Sequence, residues 1–181
     1  AEAEGGAREL LARMSDDGGR AFLALPIETV RIAERAAASS VVDTGTSINV
    51  GRFSIPLESH ERAASFSAAA GAPSPEVMRA GRMGIDYIGP SNSFAAKTYS
   101  AADVAEGRVP PATFSNRYVL IGATAASTGE RFPSPFTHQD DSRGNQHGVL
   151  MPGVEVLANA LNTILRGRFY THASDPAIFV W

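Results

Sequence analysis

Residues 117–124, RYVLIGAT, constrain the fold more than any other stretch of the chain. Tyr118, Val119, Leu120 and Ile121 follow one another with no polar residue between them. An apolar run without alternation is the pattern of a strand covered on both faces. Pro110-Pro111 upstream forbids a helix leading into it, and Gly122 opens a long polar loop over 123–151. The element after that loop is MPGVEVLANALNTILRG, with Pro152 near its start and Gly167 just past its end. Val154, Leu157, Ala158, Leu161, Ile164 and Leu165 recur there at i, i+3, i+4, i+7 spacing, which predicts an amphipathic helix. Strand, long loop and amphipathic helix in succession predict an α/β fold: a central mixed or mostly parallel sheet with helices on both faces. A length of 181 residues gives a single domain over 1–181.

The first half adds smaller elements. ARELLARM (7–14) reads as a short helix stopped by SDDGG. LPIETVRIAERAAA reads as a second helix, with Pro26 in its first turn and Ile27, Val30, Ala33 and Ala37 on one face. TSINV and RFSIPL, separated by Gly51, predict a hairpin or bulged pair with Ile48, Val50, Phe53, Ile55 and Leu57 alternating against polar residues. Residues 58–82 are rich in Ala, Ser and Pro and read as a loop of low local stability. GIDYIGP reads as a strand closed by a Gly-Pro turn, and SAADVAEGRV as a helix of one or two turns between Ser100 and Gly107.

Composition removes several functions. The net charge of −3 offers no basic surplus to neutralise phosphates, so nucleic acid is not an expected partner. The absence of cysteine excludes thiol catalysis, cysteine-based zinc sites and disulfides together. AEAEGGAREL is not a secretory leader, and no window reaches the apolar run of about 18 residues expected of a membrane span. DPAIFVW at the other end reads equally as a C-terminal strand or as the first turn of a membrane helix.

Four candidate sites follow. GATAASTG (122–129) has six residues between its glycines and no lysine after them, so it is neither a P-loop nor a G-x-G-x-x-G turn. Its alternatives are a plain turn, or a small-ligand loop using backbone N–H groups with the hydroxyls of Thr124, Ser127 and Thr128. HQDDSRGNQHG holds His138, Asp140, Asp141 and His147, weak candidates for a divalent metal that read more readily as a solvated loop; no metal and no cofactor is expected. No G-x-S-x-G elbow supports a hydrolase triad. Glu155, Asn159, Asn162 and Arg166 line the polar face of the last helix, which reads most simply as solvated; Asn159, beside its apolar stripe, is the exception placed to bond a loop in front of the sheet.

The series IDYIGPSNSFAAKTYSAADV, VPPATFSNRYVLIGATA, RFPSPF and MPGVEVLANALNTILRG resembles the C-terminal half of the CHASE2 sensor domain over residues 84–169, with 46–57 a looser match. The family's opening strand and WP-x-x-R segment are not found before Ala1, Glu130 stands where the family most often has Asp, and Leu157 where it often has His. The resemblance implies a non-catalytic, extracytoplasmic ligand-sensing module of a bacterial membrane receptor. Its expected partners are an unknown small molecule, the receptor's own transmembrane helices and cytoplasmic output domain (a nucleotide cyclase, diguanylate cyclase or kinase), and a second copy of the chain. On that reading the hydroxyls of Thr124, Ser127 and Thr128, Glu130 and the first turn of the last helix converge at one end of the sheet, with Asn159 placed to bond the loop; free N–H groups at a helix start favour anionic or carbonyl groups. The rivals are a metal-dependent α/β hydrolase or transferase using Glu130, His138, Asp140 and His147, and an interaction module that binds no ligand.

Overall fold

The computed structural model describes residues 8–15, 21–60, 79–125, 127, 129–137 and 149–170. The chain divides into two compact units, one formed by 8–87 with the segment from Asn159 onward, the other by 88–158.

The first unit is built on antiparallel sheet. Strands β1 (Glu9–Ser15), β2 (Ala21–Leu23), β6 (Glu58–His60) and β7 (Arg79–Gly84) form a four-stranded sheet in the order β2-β1-β7-β6. β3 (Val42–Asp43), β4 (Ser47–Val50) and β5 (Phe53–Pro56) form a three-stranded meander. Every ladder among the described residues is antiparallel, so the central mixed or parallel sheet expected from the sequence is not what forms.

The β4–β5 hairpin forms where the alternation placed it. Ile48, Val50 and Ile55 are fully buried and Leu57 nearly so. Of its two loop residues only Gly51 has positive φ (55°), the requirement of a type II′ turn. A Cβ there would also lie 3.0 Å from the Glu34 Cβ. Helix α1 (Leu25–Ala33) packs on β4 through the predicted Ile27 and Val30. It is shorter than the sequence suggests: Arg35 turns to φ 54°, and Ala33 and Ala37 are left exposed.

Residues 9–15 are strand rather than helix. Glu, Leu, Ala, Arg and Met are all good helix formers, but propensity is a small preference that tertiary context overrides: β1 gains ladders on both sides, from β2 and β7, and buries Ala12 completely. The 58–82 stretch starts and ends in the sheet, as β6 and the central strand β7, and the part between, 61–78, lies outside the described residues. The strand expected over 84–90 is displaced: β7 ends at Gly84, and only buried Ile85 continues its inward alternation. Gly84 is close to obligatory, because a Cβ would fall 2.5 Å from the Tyr170 carbonyl oxygen.

The second unit is poorer in core. Helix α2 (Ala101–Ala105) follows Ser100 and stops at Gly107 (φ 73°), as expected. Pro110-Pro111 does not exclude all helix, since Pro111 opens a single 3₁₀ turn, Pro111–Phe114, where its missing N–H has no role. Tyr99 and Phe114 meet edge to face at 5.8 Å. β8 (Arg131–Phe132) pairs with β9 (Met151–Pro152). The run 117–124 is not a strand: it has no ladder partner among the described residues, Ile121 is 91% exposed, and Val119 is 50% exposed. β-branched and aromatic side chains favour strands by packing on neighbours, so a run without a neighbour gains nothing from that preference.

Helix α3 (Gly153–Arg166) has the predicted limits, with Gly167 at φ 63° closing it. Its buried side is rotated from the expected stripe. Val156, Ala160, Leu161 and Ile164 are inside together with Glu155, Asn159 and Thr163, whereas Val154, Leu157, Ala158 and Leu165 are only half-buried.

Candidate functional site

The loop after the apolar run is held against the first turn of α3 by backbone and guanidinium contacts. Gly153 donates its N–H to the Glu130 carbonyl at 3.0 Å, which satisfies one of the donors a helix start leaves open. The β8–β9 pair closes beside it, so Arg131 is drawn to the base of the loop. Its guanidinium spans two carbonyls, donating from Nη1 to Leu150 O and from Nη2 to Thr124 O, both at 2.9 Å. Gly122 lies directly over Val154, where a Cβ would come within 2.6 Å of the Val154 Cβ. Arg131 was not singled out in the sequence, where one arginine among many carries no mark of its position.

Against this frame the expected ligand residues divide. Thr124, Ser127 and Glu130 belong to the loop and expose their side chains. Thr128 lies outside the described residues. Asn159 falls in the other compact unit, fully buried, with its carbonyl accepting the Thr163 hydroxyl at 2.8 Å. His138, Asp140, Asp141 and His147 lie outside the described residues, and among those described no group of three or more metal-ligating side chains gathers.

The first turn of α3 also grips a second loop. The Glu155 carboxylate, 9% exposed, accepts the backbone N–H groups of Asn92 and Ser93, each at 3.0 Å, and lies 3.4 Å from the Ser91 hydroxyl. Asn92 adopts φ 76°, so successive N–H groups turn toward one point, the form of an anion-binding nest. A solvated Glu155 is thus the wrong expectation, because these partners replace its water. Along the same helix, buried Thr163 accepts the Asp86 N–H at 2.9 Å. Downstream of β8, Ser134 and Thr137 form a buried turn: the Thr137 hydroxyl accepts the Ser134 N–H at 2.7 Å, and Thr137 N–H donates to Ser134 O at 2.9 Å.

Elsewhere, Asp86 and Arg168 pair at 3.3 Å beside a shallow 280 Å³ cleft completed by Gly167, Phe169 and Tyr170. Burial pushes the Tyr87 phenol up to about 12. Arg31, through its bonds to Glu28, holds that carboxyl below the usual range.

Chemically the described part of the loop exposes hydroxyls and one carboxylate, and nothing described in it pairs a nucleophile with a base. Among the described residues no helix is long and apolar enough to cross a membrane. Neither a curated protein sequence nor a solved structure matches the chain significantly. A family model, that of the CHASE2 domain, matches residues 2–181, well beyond the second half on which the resemblance rests most firmly. The chain belongs to the CHASE2 family, whose members are extracellular sensor domains of signalling receptors rather than catalysts.

Proposed function

We propose that this domain senses a small polar ligand on the extracytoplasmic side of the bacterial inner membrane and belongs to a membrane-anchored receptor. The output domain of that receptor is of the nucleotide cyclase, diguanylate cyclase or kinase type. The observation that carries the reading is the loop 122–132, clamped by Arg131 and by the Glu130 carbonyl to the start of α3 while Thr124, Ser127 and Glu130 face solvent. An anchored loop presenting exposed hydroxyls and one carboxylate suits a ligand with both donors and acceptors. A ligand can act as a signal only by binding two arrangements of the protein with different affinity, and a loop tied to a helix start gives such a difference a route into α3. Such outputs work in pairs of chains, so a dimer is expected.

The test is a thermal-shift screen of the domain against small metabolites and metal ions, repeated on Thr124→Ala and Glu130→Ala. A ligand at a hundred times its Kd stabilises by about 2.7 kcal/mol. The expected outcome is a metabolite that raises the midpoint of the wild type and not of the variants. A shift with transition metals alone refutes the loop reading in favour of metal chemistry. No shift with any compound refutes it in favour of a module that senses protein.

A further inference from the structure

We infer that the cleft at the end of α3 is a second ligand site, one that takes a small zwitterion of the α-amino acid class with an apolar side chain. Asp86, Gly167, Arg168, Phe169 and Tyr170 line it, all of them in the first unit, whereas the 122–132 loop belongs to the second. Its backbone is set in advance. The Arg168 N–H donates to Thr163 O at 3.2 Å and the Gly167 N–H to Ile164 O at 3.1 Å, the two bonds of a Schellman cap. The Tyr170 carbonyl rests where a Cβ on Gly84 would stand, so the chain beyond the cap is held against the end of β7. Asp86 is anchored by its own N–H, donated to Thr163 Oγ1 at 2.9 Å. A site built this way loses little freedom when it is filled.

Charge decides the class of ligand. The Asp86 carboxylate is 14% exposed and the Arg168 guanidinium 67% exposed, with Arg168 Nε 3.3 Å from Asp86 Oδ2. Among the described residues neither side chain has another partner. An ion pair open to water on one side is weak, so each group is free to exchange the other for a ligand charge. A cation alone would set the guanidinium against a like charge, and an anion alone would do the same to Asp86. A zwitterion satisfies both: its ammonium takes the part-buried carboxylate, and its carboxylate takes the guanidinium, whose planar fork matches it. Phe169 and Tyr170, the latter exposed, then offer ring surface to an apolar side chain. At 280 Å³ the cleft falls just below the range of about 300–1,000 Å³ that holds drug-sized molecules, which suits a single amino acid.

Isothermal titration calorimetry of the whole chain, one common L-amino acid at a time up to millimolar concentration, tests the assignment. At least one apolar amino acid should bind saturably. Its amide, which lacks the carboxylate, and its deaminated acid, which lacks the ammonium, should not. Asp86→Asn and Arg168→Gln should each weaken the binding about tenfold or more, because each removes a hydrogen bond between charged groups. Far-UV circular dichroism checks that both variants fold, and the exposed Arg168 gives the variant least able to disturb the core. Thr124→Ala and Glu130→Ala, in the loop, should leave the affinity unchanged. Absence of binding by every amino acid overturns the inference. So does an amide that binds as well as its parent, or binding that survives both cleft variants. Binding lost in the loop variants instead overturns the cleft and supports the 122–132 loop as the site.

Discussion

Glu155 is the side chain whose removal reports most directly on how α3 is seated. Its carboxylate replaces lost hydration with two backbone N–H groups at 3.0 Å, from Asn92 and Ser93. Hydrogen bonds to a charged group contribute about 1.5–3 kcal/mol each. Asn92 and Ser93 are themselves exposed, so water recovers part of the loss. Glu155→Ala should therefore destabilise by about 2–3 kcal/mol, the lower end of that range summed over both bonds. Glu155→Gln keeps the shape but turns one acceptor into a donor facing a donor, and should cost about 1–2 kcal/mol. Urea denaturation followed by circular dichroism measures both. Amide hydrogen exchange then locates the loss, which should show as faster exchange at Asn92 and Ser93, with the β4–β5 hairpin keeping its protection. A Glu155→Ala protein within 0.5 kcal/mol of wild type, or unchanged exchange at those two amides, would refute the claim that the carboxylate holds the 91–93 loop.

Thr163→Val keeps the volume of a fully buried side chain but leaves the partly buried Asp86 N–H unpaired; urea denaturation should show a loss of about 1–3 kcal/mol, with Thr163→Ser retaining most of the stability. Gly122→Ala should lower the melting midpoint, since its Cβ would press on Val154, and Val154→Ala should rescue it in a double-mutant cycle; additive effects would mean that the two do not touch. Tyr87 should be the phenol that stays protonated to about 12, so absorbance titration at high pH should lose its latest step in Tyr87→Phe. The sign follows from the neutral form being the one burial favours: the contribution is intact below the ordinary phenol value of 10 and is lost as pH rises from there through about 12. It amounts to no more than about 2.7 kcal/mol, less for a ring that is only half-buried.

What could be read in advance depended on whether a residue's environment was local. The β4–β5 hairpin was legible because alternation and Gly51 specify both register and turn within ten residues. α3 was legible in its limits for the same reason, its proline and glycine lying at its two ends. β1 was not, because the residues of ELLARMS favour a helix on their own and become strand only where β2 and β7 flank them, and β7 lies about seventy residues away in sequence. The RYVLIG run shows the opposite failure. Its side chains state a preference for burial on both faces, but a preference needs a neighbour, and the described residues supply none.

The polar face of α3 carries the same lesson to the site. Glu155, Asn159 and Thr163 recur every fourth residue, so on periodicity alone they form a stripe that could be solvated, and leucines and valines compete to define the inner side. What decides the matter is hydrogen-bond supply. A carboxylate leaves water only where N–H groups converge, and the positive φ at Asn92 makes them converge. A buried hydroxyl needs an acceptor and a donor, and Thr163 finds them in its own helix at Asn159 O and in the Asp86 N–H. Asn92 could be read as a turn former, but neither the turn nor the helix names the other. The signal that links them is the family pattern itself, in which the Gly-Pro turn and the PGVE step occur together in order. That pairing has a physical reason in the Glu155 contact: a sensor domain that seats its helix by a buried carboxylate has a joint that any ligand-driven movement of α3 must either keep or break.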